Sequence, residues 1–420
     1  MRTGVDDVEA WISSIETRRR SQSTDSKDVA AAIIEQVSAG GDRVVAELVE
    51  RFDKVAMEPA ELKVAPRDTS VEPELKAAID MAIARIEYFH SFQKSEGYEF
   101  TLHGSTFVHQ VKPLNRVGIY VPGGRAVYLS TLIMCAVPAR LAGVREIVVA
   151  TTFHAAERNE LHYACQQLGI REIYRSGGAA AIAAMTRGTE SLRRVDKIVG
   201  PGNRFVAAAK QLLSEEVGID MTAGPSEIIV IGDSDASAEL IAADLVAQAE
   251  HGEDSSAICV TDSERLGLEV VAAVARQLEG ADTHSAAPRS IAEHGAVVIT
   301  GTIEEAAELA NRLAPEHLEI QTRSARTLLD RIHNCGSVFL GGPSGVAFGD
   351  YIAGPNHVLP TAGTARFFSP LGVYDFYKRQ NVISLSNETV DQIGSAGEKL
   401  ASLEGLPLHA RSIAARREGR

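Results

Sequence analysis

Paired cysteines are missing from this chain. The four present, Cys135, Cys165, Cys259 and Cys335, stand far apart and form no Cys-x-x-Cys, which excludes a zinc knuckle or a dithiol redox motif. They read as small buried hydrophobes in a reducing compartment. An excess of positive charge is missing too. The 56 acidic and 42 basic residues leave a net charge of −14, which removes the electrostatic route to nucleic acid. No apolar run approaches the roughly 20 residues that a membrane span needs, and Asp6, Asp7 and Glu9 stand where a secretory signal requires an apolar core. The expectation is a soluble cytoplasmic protein without nucleic-acid or membrane partners. The full Gly-x-Gly-x-x-Gly dinucleotide fingerprint and any internal repeat of fixed period are also absent.

What is present is ordinary globular composition. With 45% hydrophobic and 23% charged residues the chain lies far from the disordered class, and 420 residues suggest about two to three domains. Residues 1 to 110 are charged and helix-patterned, with apolar spacing of three and four over 26–50 and 72–92. Arg18, Arg19 and Arg20 read there as a solvated helix face. From residue 117 onward β-branched runs at 117–121, 146–150, 197–199, 227–231, 257–260, 296–299 and 337–340 alternate with helical stretches such as 202–217, 238–252 and 265–278. That alternation predicts parallel α/β sheets, and seven strands fit two sheets on either side of the turn at 221–226. Past Phe367 the pattern weakens into polar helical segments ending in a basic stretch, 411–420.

Two Gly-rich turns follow strands: Val121-Pro-Gly-Gly-Arg125 and Gly200-Pro-Gly-Asn-Arg-Phe205. Each is either an anion cradle near a helix start or a plain turn. In Ala247-Gln-Ala-Glu-His-Gly252, residues three apart share a helix face, so Gln248 and His251 can point at one atom, with Asp244 one turn back. The bland alternative is a helix C-terminus with a favoured His and a Gly cap. Two polar clusters lie in turn-rich surroundings, Glu316-His317 and the loop from Asp350 to His357. Together with Gln248, His251 and His409 they form an oxygen- and nitrogen-rich donor set without sulfur, which suits Zn²⁺ and, less specifically, Mn²⁺ or Co²⁺.

These blocks, with Val117-Gly-Ile-Tyr-Val-Pro-Gly-Gly124, Val195-Asp-Lys-Ile-Val-Gly-Pro-Gly-Asn203, Gly218-Ile-Asp-Met-Thr-Ala-Gly-Pro-Ser-Glu227 and Glu404-Gly-Leu-Pro-Leu-His409, resemble the histidinol dehydrogenase family in order and spacing from about residue 110 to the C-terminus. The resemblance implies an α/β fold of two incomplete Rossmann-like domains with parallel sheets, one inserted in the other. In that division residues 1–20 are an N-terminal helical extension, 21–117 with 228–371 one domain, 118–227 the other, on the NAD side, and 372–420 a helical tail reaching the partner of an intertwined homodimer. It further implies oxidation of L-histidinol through L-histidinal to L-histidine, the last steps of histidine biosynthesis, with two NAD as successive hydride acceptors and one Zn²⁺ per subunit.

Carried over position by position, Gln248, His251, Asp350 and His409 match the metal ligands, and Glu316 and His317 the acid–base pair. Ser226, His357 and Glu404 match substrate contacts, and Tyr120 and Asn203 cofactor positions. The zinc then serves as a template for the imidazole and amine of the substrate. His317 takes the hydroxyl proton, as an imidazole of ordinary pKa can near neutrality, and Glu316 takes the proton of the water that hydrates the aldehyde. The chain departs from the family pattern at Ala180, where Gln is usual in the cofactor site, and at Leu129, where Pro commonly precedes the Ser. The alternatives are a zinc- and NAD-dependent paralogue for another polar or amino alcohol, and a non-catalytic metal- or metabolite-binding relative.

Overall fold

The structure, a computed structural model, describes the chain except for Arg2, residues 4–6, 21–23, 124–126, Ala223, 281–284 and 419–420, and the side chains of Arg20, Thr24 and Glu418. Gly124 and Arg125 of the first glycine turn, Ala223 of the 221–226 turn and the last two residues of the basic tail thus lie outside the described residues. The strands in chain order are β1 (Lys63–Val64), β2 (Tyr98–Leu102), β3 (Ser105–Pro113), β4 (Arg116–Tyr120), β5 (Glu146–Thr151), β6 (Glu172–Arg175), β7 (Lys197–Val199), β8 (Gly218–Ile219), β9 (Glu227–Gly232), β10 (Ser256–Thr261), β11 (Gly295–Ile299), β12 (His317–Gln321), β13 (Ser337–Leu340) and β14 (Tyr377–Ser384).

They form a six-stranded sheet of order β1-β6-β5-β4-β7-β8, a five-stranded sheet of order β11-β10-β9-β12-β13 and a three-stranded sheet of order β14-β3-β2. Every pairing in the first two is parallel except that of β1 with β6. All seven strands expected from the sequence are present, and the two parallel sheets fall on either side of the 221–226 turn.

Each central strand divides its side chains between two covered faces, which is why these strands read as unbroken apolar runs. On the six-stranded sheet Val117 and Ile119 pack beneath helices Leu129–Ala142, Asn159–Gln167 and Pro73–Ser91. The other face, with Val148 and Ala150, meets helices Thr24–Asp53, Gly178–Arg187 and Arg204–Leu212. On the five-stranded sheet Ile229 and Ile231 pack against Val8–Arg20 and Ile303–Leu313, and Ile228 and Val230 against Ala238–Ala249 and Glu264–Leu278. Each sheet changes winding direction once, between β4 and β7 and between β9 and β12, the doubly wound arrangement that places ligands at such a switch point.

Residues 24–91 pack on the six-stranded sheet, and two expectations are corrected. The apolar residues of these helices, among them Ile34, Val45 and Ile83, are buried against strands of the six-stranded sheet or the helices covering it. Residues 98–113 are not helical but a hairpin, β2–β3, turned by His103 and Gly104, both at positive φ (48° and 72°), the conformation a two-residue hairpin loop requires. β14 pairs antiparallel with β3 across its full length, so the region past Phe367 contributes a strand before its helices Asn387–Leu403 and Pro407–Glu418. Among the described residues no helix is long and apolar enough to cross a membrane.

Candidate active site

The pairing of β9 with β12 decides where the acid–base candidates meet. Helix Ile303–Leu313 stops at Ala314, held left-handed at φ 47°, and the chain turns through Pro315 into β12. The parallel register sets His317 opposite Ile228. Glu316 and His317 therefore stand next to Ser226 and Glu227, at the amino ends of the two central strands. Glu316 Oε2 accepts the Glu227 N–H at 3.0 Å and lies 3.5 Å from His317 Nδ1. His317 Nδ1 is 3.3 Å from the Glu227 carbonyl oxygen and 3.4 Å from Gln248 Nε2.

Asp350 approaches from the opposite side, on the short helix Val346–Tyr351 whose first N–H is accepted by Glu319 Oε1 at 2.9 Å. Its Oδ1 lies 3.6 Å from His317 Nε2, too long for a hydrogen bond, and Nε2 has no other partner among the described residues. The loop that follows is pinned by Asn356, whose Nδ2 donates to the Met134 carbonyl at 2.6 Å and whose Oδ1 accepts the Val358 N–H at 2.9 Å. His357 is thereby aimed into the same space.

Electrostatics reflect this crowding. Burial acts to lower the pKa of His317, but the carboxylates of Glu316 and Asp350 outweigh it and raise the value to about 10. The ordinary imidazole value expected from the sequence is thus corrected: in this arrangement two acids hold the proton on the ring. Burial pushes the Asp350 carboxyl up, yet the charges of His317, His357 and His251 bring it below the usual range. Burial lowers the pKa of His357. Ser226, His251, Glu316, His317, Asp350 and His357 all line one cavity of ≈ 380 Å³.

A second cavity, of ≈ 320 Å³, opens at the carboxyl ends of the six-stranded sheet and is lined by Tyr120, Ala180 and Asn203 among others; Asn203 lines both. Gly200 makes the approach possible: at φ 108° a side chain there would strike the Tyr120 carbonyl oxygen at 2.2 Å. Asn203 caps the helix Arg204–Leu212, its Oδ1 accepting the N–H groups of Phe205 and Val206 at 3.1 and 3.2 Å. The buried Tyr120 hydroxyl accepts the Gly178 N–H at 3.1 Å.

The profile of histidinol dehydrogenase matches residues 16–417. The chain belongs to the histidinol dehydrogenase family. It is 44% identical over 417 residues to the histidinol dehydrogenase of Syntrophotalea carbinolica, covering 98% of this chain and 97% of that protein. To that of Geobacter metallireducens it is 44% identical over 401 residues, covering 94% and 92%. The crystal structure of histidinol dehydrogenase from Elizabethkingia anophelis superposes with a TM-score of 0.87 at 35% identity, over 93% of this chain and 92% of that one. All the site positions drawn from the family's motifs lie inside the matched residues.

Of those positions the fold gathers Gln248, His251, Asp350, Glu316, His317, Ser226 and His357 at one place, and Tyr120 and Asn203 at the adjoining cavity. It does not bring Glu404 and His409 there: both are exposed, on the tail, and neither lines either cavity. Among the described residues no group of three or more His, Cys, Asp or Glu is closed enough to hold a metal ion. The donor chemistry nonetheless fits one. Gln248 Oε1 is buried with no hydrogen-bond partner among the described residues, a costly state for an amide oxygen unless a donor or cation meets it. Asp244 departs from the expected stripe, since it pairs with Glu319 and the start of helix Val346–Tyr351.

Residues beneath the site escaped sequence reasoning. Arg18 and Arg19, expected on a solvated face, reach inward. Arg19 grips Glu227 through two hydrogen bonds of 2.7 and 2.8 Å and also donates to the Leu313 carbonyl, and Arg18 donates to Ser256 Oγ. The Lys210–Asp220 ion pair is fully buried below the Gly200–Asn203 loop. A lysine in the last turn of an Ala-rich helix was the only available signal.

Proposed function

We propose that this protein is a histidinol dehydrogenase of the cytoplasm, an oxidoreductase that converts L-histidinol through L-histidinal to L-histidine at the end of histidine biosynthesis. The observation that carries this reading is the convergence of His251, Asp350, Glu316, His317, Ser226 and His357 on one cavity, with Gln248 3.4 Å from His317, that adjoins a second cavity through Asn203. Membership of the family supports the substrate.

Gln248, His251 and Asp350, with His409, would hold a zinc ion, which when bound supplies a template for the imidazole and amine of the substrate. His317, relieved of one of its two acids once Asp350 is committed to the metal, would take the hydroxyl proton, and NAD, when bound, would accept the hydride of the carbinol carbon. Glu316 would take a proton from the water that adds to the aldehyde, and a second NAD, when bound, would accept the hydride of the hydrated aldehyde while one hydroxyl proton passes to His317 and the carboxyl proton to solvent, leaving the carboxylate. Ser226 and His357 position the substrate from the strand and loop ends, and Glu404 from the tail. Tyr120 and Asn203 face the dinucleotide. The doubly wound sheets support two Rossmann-like units, one inserted in the other, and the exposed tail supports a homodimer in which Glu404 and His409 enter the partner's site.

The deciding assay is NADH formation on addition of L-histidinol, compared with other amino alcohols at equal concentration. Two NADH per histidinol, with no comparable turnover of the other alcohols, is the expected result. Preference for an amino alcohol without an imidazole would overturn the assignment.

A further inference from the structure

The cavity at the carboxyl ends of the six-stranded sheet has one charged wall. Helix Thr24–Asp53 supplies an apolar side through Ile33, Val49 and Phe52, the glycines and alanines at 177–180 supply another, and Asp53 is the only charged residue lining it among the described residues. Asp53 is held in place from two directions. Its Oδ2 accepts the Phe153 N–H at 2.8 Å, and His154 Nε2 lies 3.1 Å from its carbonyl oxygen. Both contacts tie the end of the helix to the segment that follows β5.

That location matters in a doubly wound sheet. Where such a sheet binds NAD, the acid that bonds the ribose 2′-hydroxyl sits at the end of the second strand, and enzymes that take NADP replace the acid or provide an arginine. Here β5 is the second strand of the six-stranded sheet's parallel unit, next to β4. It ends in Thr151 followed by Thr152, with no carboxylate. Asp53 brings a carboxylate to that strand end from a different element, and no described residue donates to its Oδ1. The nearby Arg175 is committed to Glu157 and the Glu61 carbonyl and stacks on Phe153.

We infer that Asp53 is the specificity residue for the dinucleotide: it accepts the ribose 2′-hydroxyl of NAD and repels the 2′-phosphate of NADP. This rests on the proposed use of a nicotinamide dinucleotide in this cavity. A 2′-phosphate would meet a carboxylate and no counter-charge among the described lining residues, Arg175 being held by Glu157, and like charges set against each other in a partly buried site discriminate strongly. Part of the cofactor choice thus sits in the helical region before the sheet, outside the Gly-rich turns.

Equilibrium binding to the intact protein, by calorimetry, tests this without turnover. The probes are NAD, NADP, 5′-AMP and 2′,5′-ADP, against wild type, Asp53→Asn and Asp53→Ser, with a thermal melt of each. Asn keeps an oxygen for the Phe153 N–H, so its fold should survive. Wild type is expected to bind NAD over NADP, and 5′-AMP over 2′,5′-ADP, by about tenfold or more, and both variants to shrink those ratios by about fivefold or more. If wild type discriminates but the ratios are unchanged in a folded variant, Asp53 is only a cap for the segment after β5 and the inference falls while the dinucleotide reading stands. Equal binding of NAD and NADP by wild type also overturns it. If neither NAD nor 5′-AMP binds wild type, the dinucleotide reading falls with it.

Discussion

His317 and Glu316 are neighbours with different surroundings, and the difference supports the division of work proposed for them. His317 is enclosed between Gln248, the Glu227 carbonyl and Asp350, whereas Glu316 is fixed by a single backbone N–H. His317→Asn is expected to slow both oxidations by roughly two to four orders of magnitude, the range for losing a general base. Glu316→Gln keeps an acceptor for the Glu227 N–H and should mainly impair oxidation of histidinal, because only that step needs an activated water. Equal losses on histidinol and histidinal would contradict this division. The one acid within β12, Glu319, is 1% exposed, and burial followed by the Asp244 charge raises its pKa to about 8. Because that lies above the ordinary 4.5, the stability it confers is fully present below 4.5 and is lost as pH rises through about 8. Thermal melts between about pH 5 and pH 9 should therefore show wild type losing Tm relative to Glu319→Gln. Parallel curves would show that Glu319 does not titrate there.

At the scale of elements, the Gly200–Asn203 loop and the segment after β8 are joined by one buried pair. Lys210 donates to the Gly200 carbonyl at 3.0 Å, and Asp220 accepts the N–H groups of Gly200 and Met221, both at 2.7 Å. Lys210→Met leaves the carboxylate without its counter-charge and should cost about 3–5 kcal/mol in urea unfolding. The double variant with Asp220→Asn should cost less than the sum of the two single changes, and strict additivity would refute the coupling. The sequence exposed some elements and hid others for identifiable reasons. β4, β9 and β10 are buried on both faces and read as apolar runs. β12 was missed because His317, Glu319 and Gln321, all buried, alternate with Leu318 and Ile320. Polar residues on the inner face of a central strand mimic a solvated one. β14 was missed because almost every residue in it is exposed and 378–381 are all polar or charged, leaving no apolar period to read, whereas β2 carries one, Tyr98, Phe100 and Leu102 alternating with Glu99 and Thr101, that the helical reading of residues 1–110 passed over. The site residues were legible as motif blocks, but Arg19 was not, since a charged triplet on a helix gives no sign of the buried Glu227 it meets.

For the whole molecule, the two parallel sheets present opposite ends to the site. The candidate acid–base and metal residues sit at the amino ends of β9 and β12, the cofactor candidates at the carboxyl ends of β4 and β7, and Asn203 stands between. The fold rests on four apolar clusters distributed over both sheets, and a core of this extent does not depend on one ion. Chelation should therefore abolish turnover while leaving a cooperative melt, and Zn²⁺ should restore activity. Full turnover by exhaustively demetallated protein would contradict the metal assignment. Glu404 and His409 complete the proposed donor and substrate set, yet they lie exposed on a tail whose helices Asn387–Leu403 and Pro407–Glu418 pack on each other, Arg417 pairing with Glu398. A two-fold dimer that exchanges tails would complete two equivalent sites at once. Co-expression of His317→Ala with His409→Ala measures this most directly. If the tail serves the partner's site, each mixed dimer holds one intact site, and random pairing of equal amounts should restore about a quarter of wild-type activity. Activity no higher than the sum of the two separate variants, with mixed dimers verified by mass, would show that each site is built from one chain.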